Sequence, residues 1–362
     1  MQTSVPRNSS ALLSAAAVVI IIYGMQAAKV LLVPFLLAVF LALITVRPML
    51  WMQEKKVPSV LAALMIVIGM MLVIGLVGGI VGTSIAEFTL ALPAYQERLT
   101  AIVIGTGEFI NRLLGDDREV PNIAELIDPG FAMGFAATIL NAVRDVLTNT
   151  FLILFTMVFI LLEASSMGIK ARAAFGQSAD SFERPRLFLQ NLGRYLGIKT
   201  MISLATGFCA WVLSMWVGLD FPLLWAMLAF LFNYVPTIGS IIAAVPAVLI
   251  ALITLGPGEA GMTALGYFAI NTVFGSFLEP RIMGHGVGIS PLIVFTGLVL
   301  WGWIFGPVGM LLSVPLTMTL KMALESDDNT RWLAILIGSE KDAEYELWLR
   351  LRGEDSADDS PS

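Results

Sequence analysis

The sequence predicts an all-α, polytopic membrane protein with about six full spans and two helical hairpins that break or re-enter within the membrane. Hydrophobic residues make up 57% of the chain and charged residues only 13%, and the mean hydropathy is +0.86. Soluble domains carry about 25% charged residues, so this composition excludes an ordinary soluble domain. The net charge of −6 is small and gives no sign of nucleic-acid binding.

The first hairpin is predicted in the long uncharged stretch at 221–258. As one helix this stretch would be about 57 Å long, whereas the hydrocarbon core of a bilayer is about 30 Å thick. Pro236 and Gly239 provide a break, because proline removes a backbone donor and glycine permits positive φ. Two arms that are each too short to cross are therefore predicted. A single broken span is the alternative.

A second stretch, at 287–320, repeats this pattern and has its break in Trp301-Gly-Trp-Ile-Phe-Gly-Pro-Val-Gly309. Two proline motifs recur 69 residues apart, Pro222 with Pro291 and Pro246 with Pro315. If both stretches are hairpins, the two units of span plus hairpin enter the membrane from opposite sides, which makes them an inverted repeat. Inverted repeats with broken helices are a recurring plan of secondary transporters.

The rest of the chain divides by charge. Residues 1–86 hold three predicted spans, the first two joined by a tight helical hairpin at Lys29. The acidic segment at 87–145 carries an amphipathic helix with a heptad seam, which packs either on a neighbouring subunit or on its own membrane domain. A fourth span and a basic linker follow at 146–194.

The predicted transport core occupies 195–320, and a cytoplasmic helix with an acidic tail occupies 321–362. Lysine and arginine concentrate in short loops that fall on one side of the membrane when both stretches are hairpins. Such loops are cytoplasmic in multi-pass proteins. We therefore expect both termini in the cytoplasm and the acidic segment outside.

A substrate site is predicted at the hairpin tips, because backbone groups freed from a helix are tolerated at mid-membrane only when they are buried or line a cavity. The two tryptophans of the set either stack on a solute or belong to an interfacial belt, and Arg281 either steers a substrate or anchors the topology. Asn271 either binds solute or bonds a hairpin tip. The candidate residues are Asn233, Tyr234, Pro236, Thr237, Gly239, Ser240, Asn271, Arg281, Trp301, Trp303, Gly306 and Pro307.

No catalytic residue, metal site or cofactor is predicted. Cys209 is the single cysteine and His285 the single histidine, too few for a metal cluster. No phosphate-binding loop of an ATPase is present. We therefore expect a secondary transporter for a small polar solute. A cation/proton antiporter ranks second, because no span carries a carboxylate near its centre, and a membrane enzyme is a distant third.

The motifs of the predicted core resemble a known family, the autoinducer-2 exporter family of bacterial membrane permeases. The motifs that carry the resemblance are Asn233-Tyr-Val-Pro-Thr-Ile-Gly239, Glu279-Pro-Arg-Ile-Met-Gly284, and Trp301-Gly-Trp303 with Gly306-Pro-Val-Gly-Met-Leu311. The resemblance implies an eight-segment protomer with two helical hairpins, assembled as a homopentamer in the bacterial inner membrane. It also implies export of a small polar quorum-sensing signal by an elevator-like movement, while similar members are regarded as cation/proton antiporters.

Overall fold

The computed structural model describes residues 7–114, 129–175, 180–236, 238–283, 288–327, 329–340, 343–344 and 347–348. Within these ranges the named elements are all helices, and pairing between extended residues is limited to one bridge, Ile289 with Gly338. The predicted all-α fold is confirmed. Thr237, His285, the turn-rich part of the acidic segment and the C-terminal tail lie outside the described residues.

The chain divides into two compact units. The central unit comprises residues 48–158 and 198–282, and the terminal unit comprises residues 1–47, 159–197 and 283–362. The predicted candidate residues are divided between them. The tip of the first hairpin lies in the central unit, and the tip of the second lies in the terminal unit.

The first two helices are α1 (Arg7–Ala27) and α2 (Lys29–Glu54). The tight hairpin predicted between them is wrong. Helical hydrogen bonds cross the junction, from Ala28 N to Gly24 O and from Leu32 N to Ala28 O, both 3.0 Å long. Since these bonds hold the backbone close to helical geometry, the chain continues in roughly its original direction.

Helix α3 (Ser59–Leu114) runs without interruption through the predicted boundary at 86. Its 56 residues make it about 84 Å long, far more than a bilayer needs. It packs against α4 (Pro129–Thr148), which is followed by α5 (Thr150–Phe175). Tyr95 and Leu99 of the predicted heptad seam are buried within the central unit, so this part of the seam packs on its own chain.

The candidate core begins with α6 (Asp180–Val217), followed by α7 (Pro222–Phe232) and α8 (Gly239–Thr254). Helices α7 and α8 pack against each other and are about 17 and 24 Å long, so each is shorter than the hydrocarbon core. Helix α9 (Pro257–Asn271) packs on α8 and continues into a π-helical segment (Thr272–Leu278) and α10 (Glu279–Met283).

The terminal unit contains the second broken stretch, formed by α11 (Pro291–Phe305), α12 (Pro307–Leu311) and α13 (Ser313–Glu325). Helix α11 packs on α12 and on α13, while α14 (Arg331–Ile337) packs on α13. A cluster of Trp301, Ile304 and Phe305 is buried against apolar residues of α1 and α2. Both breaks therefore occur where the sequence predicts them.

The helices carry the apolar surface that a bilayer requires. Among the described residues, four stretches are long and apolar enough to cross: Lys29–Glu54, Ser59–Ile102, Leu187–Val217 and Pro257–Met283. Large apolar side chains are exposed along them, for example Val30 at 75% and Leu76 at 70%. Continuous apolar exposure of this kind is incompatible with water and matches lipid, so the chain is a multi-pass membrane protein.

Candidate substrate site

The tip of the first hairpin is a tight turn between α7 and α8. Gly239 approaches the end of α7 so closely that a Cβ atom there would lie 1.8 Å from the carbonyl oxygen of Phe232. Within the turn the Val235 amide donates to the Phe232 carbonyl (2.9 Å), and the Ile238 amide donates to the Pro236 carbonyl (2.6 Å). Glycine is required at position 239 because no side chain fits there.

Two side chains of the tip bond to α6. The Asn233 amide nitrogen Nδ2 donates to Ser203 Oγ at 2.8 Å, and the Tyr234 hydroxyl donates to Thr200 Oγ1 at 2.7 Å. Ser203 is fully buried and Tyr234 nearly so. Since Asn233 uses its nitrogen for Ser203, its carbonyl oxygen Oδ1 is left as an acceptor for another group.

A small pocket with a mainly apolar surface and several polar side chains around it lies beside this tip, within the central unit. It has room for about one water molecule. The lining residues come from α6, α7, α8 and α9, and they are Thr206, Ala210, Ala229, Asn233, Ser240, Ala243, Tyr267, Ile270 and Asn271. Its polar lining consists of hydroxyl and amide groups, with no charged side chain. The arrangement is suited to a neutral, hydrogen-bonding ligand.

The hydroxyl group of Thr206 in this lining has no hydrogen-bond partner among the described residues. It is buried, with only 8% of the residue exposed. A buried hydroxyl left without a partner costs about 1–3 kcal/mol. Such a group is found where a ligand or an ordered water completes the bonding. The Thr206 hydroxyl is therefore available to bond a polar ligand or an ordered water.

An ion pair links α6 to α10 within the same unit. Lys199 Nζ lies 2.6 and 2.7 Å from the two carboxylate oxygens of Glu279. The Lys199 side chain is 5% exposed and that of Glu279 is 21% exposed. From the sequence alone, no carboxylate is expected near the centre of a span. The structure instead places both charges together inside membrane-length helices.

The second tip is chemically different. Trp301 is buried in the core of the terminal unit, where its Nε1 atom donates to Thr317 Oγ1 at 3.1 Å and its ring stacks on Phe305. Trp303 is 53% exposed and meets Tyr23 edge-on. Gly306 has a positive φ of 70° at the break, and Pro307 starts the next helix.

The other predicted residues are placed as follows. Asn233, Ser240 and Asn271 line one pocket, and Tyr234 and Gly239 shape the tip beside it. Pro236 lies in the turn itself. Arg281 is exposed on α10, two residues after the paired Glu279. No group of three or more metal-binding side chains occurs among the described residues.

Several residues of this site were missed from the sequence. One face of α6 carries polar or small side chains at intervals of three or four residues, which is the period of a helix. Four polar residues of this face are buried, Lys199, Ser203, Thr206 and Ser214. This periodic face could have been found, but an average hydropathy over the span conceals it. Tyr267 and Glu279 gave no comparable signal, and Lys199, the partner of Glu279, lies 80 residues away in the sequence.

Comparisons with known proteins identify the family of this chain. The model of the AI-2E transporter family matches residues 15–326. The AI-2 transport protein TqsA of Escherichia coli (strain K12) is 36% identical over 319 residues, which cover 88% of this chain and 92% of that protein. A Haemophilus influenzae protein named "Putative transport protein" is 38% identical over 336 residues, covering 91% of this chain and 97% of that protein. The resemblance predicted from the motifs is confirmed, and the chain belongs to the AI-2E family of transporters.

Proposed function

We propose that the chain is a secondary transporter that exports a small hydrophilic signal molecule such as autoinducer-2 across the bacterial inner membrane. The observation that carries this proposal is the set of five polar side chains around the small pocket beside the first hairpin, within helices that are otherwise largely apolar. A polar solute that crosses about 30 Å of hydrocarbon must exchange its hydration for donors and acceptors on the protein. Thr206, Asn233, Ser240, Tyr267 and Asn271 supply such groups. The relative TqsA is named as an AI-2 transport protein, which supports the choice of solute.

The size of the pocket bears on the mechanism. A cavity with room for about one water cannot hold a sugar-sized solute, so the hairpin must move for such a solute to enter. We propose an elevator-like movement in which the first hairpin and its neighbouring helices carry the solute past a fixed frame. The two hairpins would then form an inverted repeat. A close approach of a glycine to the end of the preceding helix occurs in both, Gly239 to Phe232 and Gly309 to Trp301, and supports a repeated hairpin.

The fixed frame is proposed to come from a homopentamer with both termini in the cytoplasm. A hairpin that moves through the bilayer needs a surface that stays still, and neighbouring protomers would supply it. The buried positions Tyr95 and Leu99 are already packed within their own chain. The contacts between protomers are therefore expected on other surfaces, such as the exposed apolar faces of α1 and α2.

One observation favours a second candidate, a cation/proton antiporter. The half-buried carboxylate of Glu279 supplies a group of the kind that such antiporters use. The carboxylate is neutralised by Lys199, however, and the pocket itself carries no charged side chain. These features fit a neutral solute better than a transported cation.

Transport of autoinducer-2 by everted vesicles tests the proposal. Asn233→Leu removes both the bond to Ser203 and the free acceptor, and it should lower the initial rate about 10- to 100-fold, the effect of losing roughly 1–3 kcal/mol of hydrogen bonding. Asn329→Leu, the same change at an exposed asparagine of the terminal unit, is the matched control and should transport normally. Equal rates for the two variants at equal expression would place the site elsewhere.

A further inference from the structure

The second hairpin has a base, where its first arm begins and its last arm ends. Lys321, near the C-terminal end of α13, donates from Nζ to the carbonyl oxygen of Gly288, just before α11, at 2.7 Å. Further toward the tip, Trp301 of α11 bonds Thr317 of α13. These two contacts show that α11 and α13 run antiparallel, so both arms leave the hairpin at the same end.

Helix α14 is tied to this base by its main chain. The amide of Ser290, the residue directly before α11, donates to the carbonyl of Ile337 at the end of α14, and the distance is 3.1 Å. The bridge between Ile289 and Gly338 lies beside this bond. Helix α14 also packs on α13. Its position relative to the base is therefore set by both arms of the hairpin.

The surface around the base changes from apolar to charged. Leu292 and Phe295, in the first turns of α11, are 70% and 51% exposed, and Leu320 of α13 is 41% exposed. Such side chains match hydrocarbon. Glu325 and Asp327 follow Leu320 within two turns and are exposed, as charged groups in water are. The boundary between lipid and water therefore lies at the level of the base, where α14 packs.

Helix α14 presents an apolar stripe at this level. Trp332 is 58% exposed and Leu336 is 67% exposed. They are four residues apart, so they lie on one face of the helix, while Ala334 is buried against the protein. Tryptophan is enriched where a membrane meets water, and helices with one apolar face lie in the plane of that interface.

We propose that α14 lies in the lipid–water interface with Trp332 and Leu336 inserted among the lipids, and that it anchors the base of the second hairpin at the membrane surface. The partner of this stripe is thus the bilayer itself. The inference goes beyond the proposed function and does not depend on which solute is transported.

Two observations favour lipid over a second copy of the chain. The stripe continues the lipid-facing surface of α11 across the base, through the contact of Ser290 with Ile337. Its area is also small. Two side chains of this size cover at most about 500 Å², whereas a stable protein interface buries roughly 800 Å² on each partner.

The charge of this part of the chain identifies the driving force. Acidic residues outnumber basic ones between positions 321 and 362, so attraction to anionic lipids does not draw the segment to the membrane. Burial of the apolar stripe remains as the favourable contribution. A bilayer of neutral phosphatidylcholine should therefore suffice, and it is the probe in the experiment.

The test measures how well the bilayer shields position 336. Leu336→Cys is made with Cys209→Ser in the full-length protein, which is placed in phosphatidylcholine nanodiscs so that both faces are open to solvent. Its reaction with a charged methanethiosulfonate reagent should be about 10- to 100-fold slower than that of Ser326→Cys, the factor that burial of one large apolar side chain provides. Because Leu336 is exposed in the chain itself, equal rates at the two positions overturn the proposal.

A nitroxide attached to the same cysteine identifies what shields it. In lipid the label should collide often with oxygen, which concentrates in hydrocarbon, and rarely with a nickel chelate that stays in water. Leu292→Cys is the lipid-facing reference and Ser326→Cys the exposed one. Rare collisions with both reagents mean that protein covers the stripe, which refutes insertion into lipid. If Leu336→Cys does not fold, Trp332→Cys is tested in the same way.

Discussion

The close approach of Gly239 to α7 predicts how much stability the protein loses when this glycine is replaced by alanine. A Cβ atom on Gly239 would lie 1.8 Å from the Phe232 carbonyl oxygen and 2.9 Å from Val235 Cβ. Because the first of these atoms is backbone at the end of a helix, Gly239→Ala can be accommodated only if the tip opens. Overpacking of a rigid site costs about 1–3 kcal/mol and occasionally more. We expect a loss of about 3 kcal/mol for Gly239→Ala.

Gly261→Ala is the matched control. Gly261 is exposed on α9, and a Cβ atom there would have nothing within 4 Å. Alanine in a helix interior is favoured over glycine by about 0.5–1 kcal/mol. The two variants should thus differ by about 4 kcal/mol, or roughly three powers of ten in the ratio of folded to unfolded protein.

Loss of helical circular dichroism, followed as denaturing detergent is added to purified protein, measures the difference. Gly239→Ala should unfold well before the unchanged protein, and Gly261→Ala no earlier than it. Gly309→Ala should behave like Gly239→Ala, because its Cβ atom would lie 1.9 Å from the Trp301 carbonyl oxygen. If Gly239→Ala proves as stable as Gly261→Ala, the close approach of the two arms is refuted.

Two further predictions concern topology and assembly. In a Cys209→Ser background, cysteines at Asp220 and Glu259 should react with an impermeant thiol reagent from outside the cell, and a cysteine at Arg281 only from the cytoplasm, because both ends of a hairpin reach the same face. Labelling of Asp220 and Glu259 from opposite faces would rule out the re-entrant hairpin. Native mass measurement in mild detergent should give a pentamer, since moving hairpins need a fixed frame; a monomer alone would contradict this proposal.

The breaks in the two long apolar stretches could be predicted because they depend on local chemistry. Pro236 and Gly239 interrupt a helix through their own backbone properties, as do Gly306 and Pro307. Length adds a second constraint, since one helix of either stretch would be longer than the bilayer is thick. The positions of both breaks followed from these facts alone.

Other features depend on contacts that the sequence does not display. Lys199 and Glu279 are 80 residues apart in the chain. In the sequence, each is a single charged residue near the end of a predicted span, and nothing indicates that the two form a pair. The π-helical segment has no distinctive composition, because Thr272–Leu278 resembles any apolar helix. A single charged residue, Lys29, predicts a loop between α1 and α2. The helical backbone hydrogen bonds nevertheless continue across this junction.

The two hairpins share a backbone plan but differ in the chemistry of their tips. Position 233 is an asparagine bonded to a buried serine, and the corresponding position 302 is a glycine where a Cβ atom would lie 2.8 Å from the side chain of Met310. Polar bonding at the first tip extends along α6 toward Lys199. At the second tip the indole of Trp301 is buried against apolar neighbours. Since a polar solute needs donors and acceptors in place of water, we infer that recognition belongs to the first hairpin.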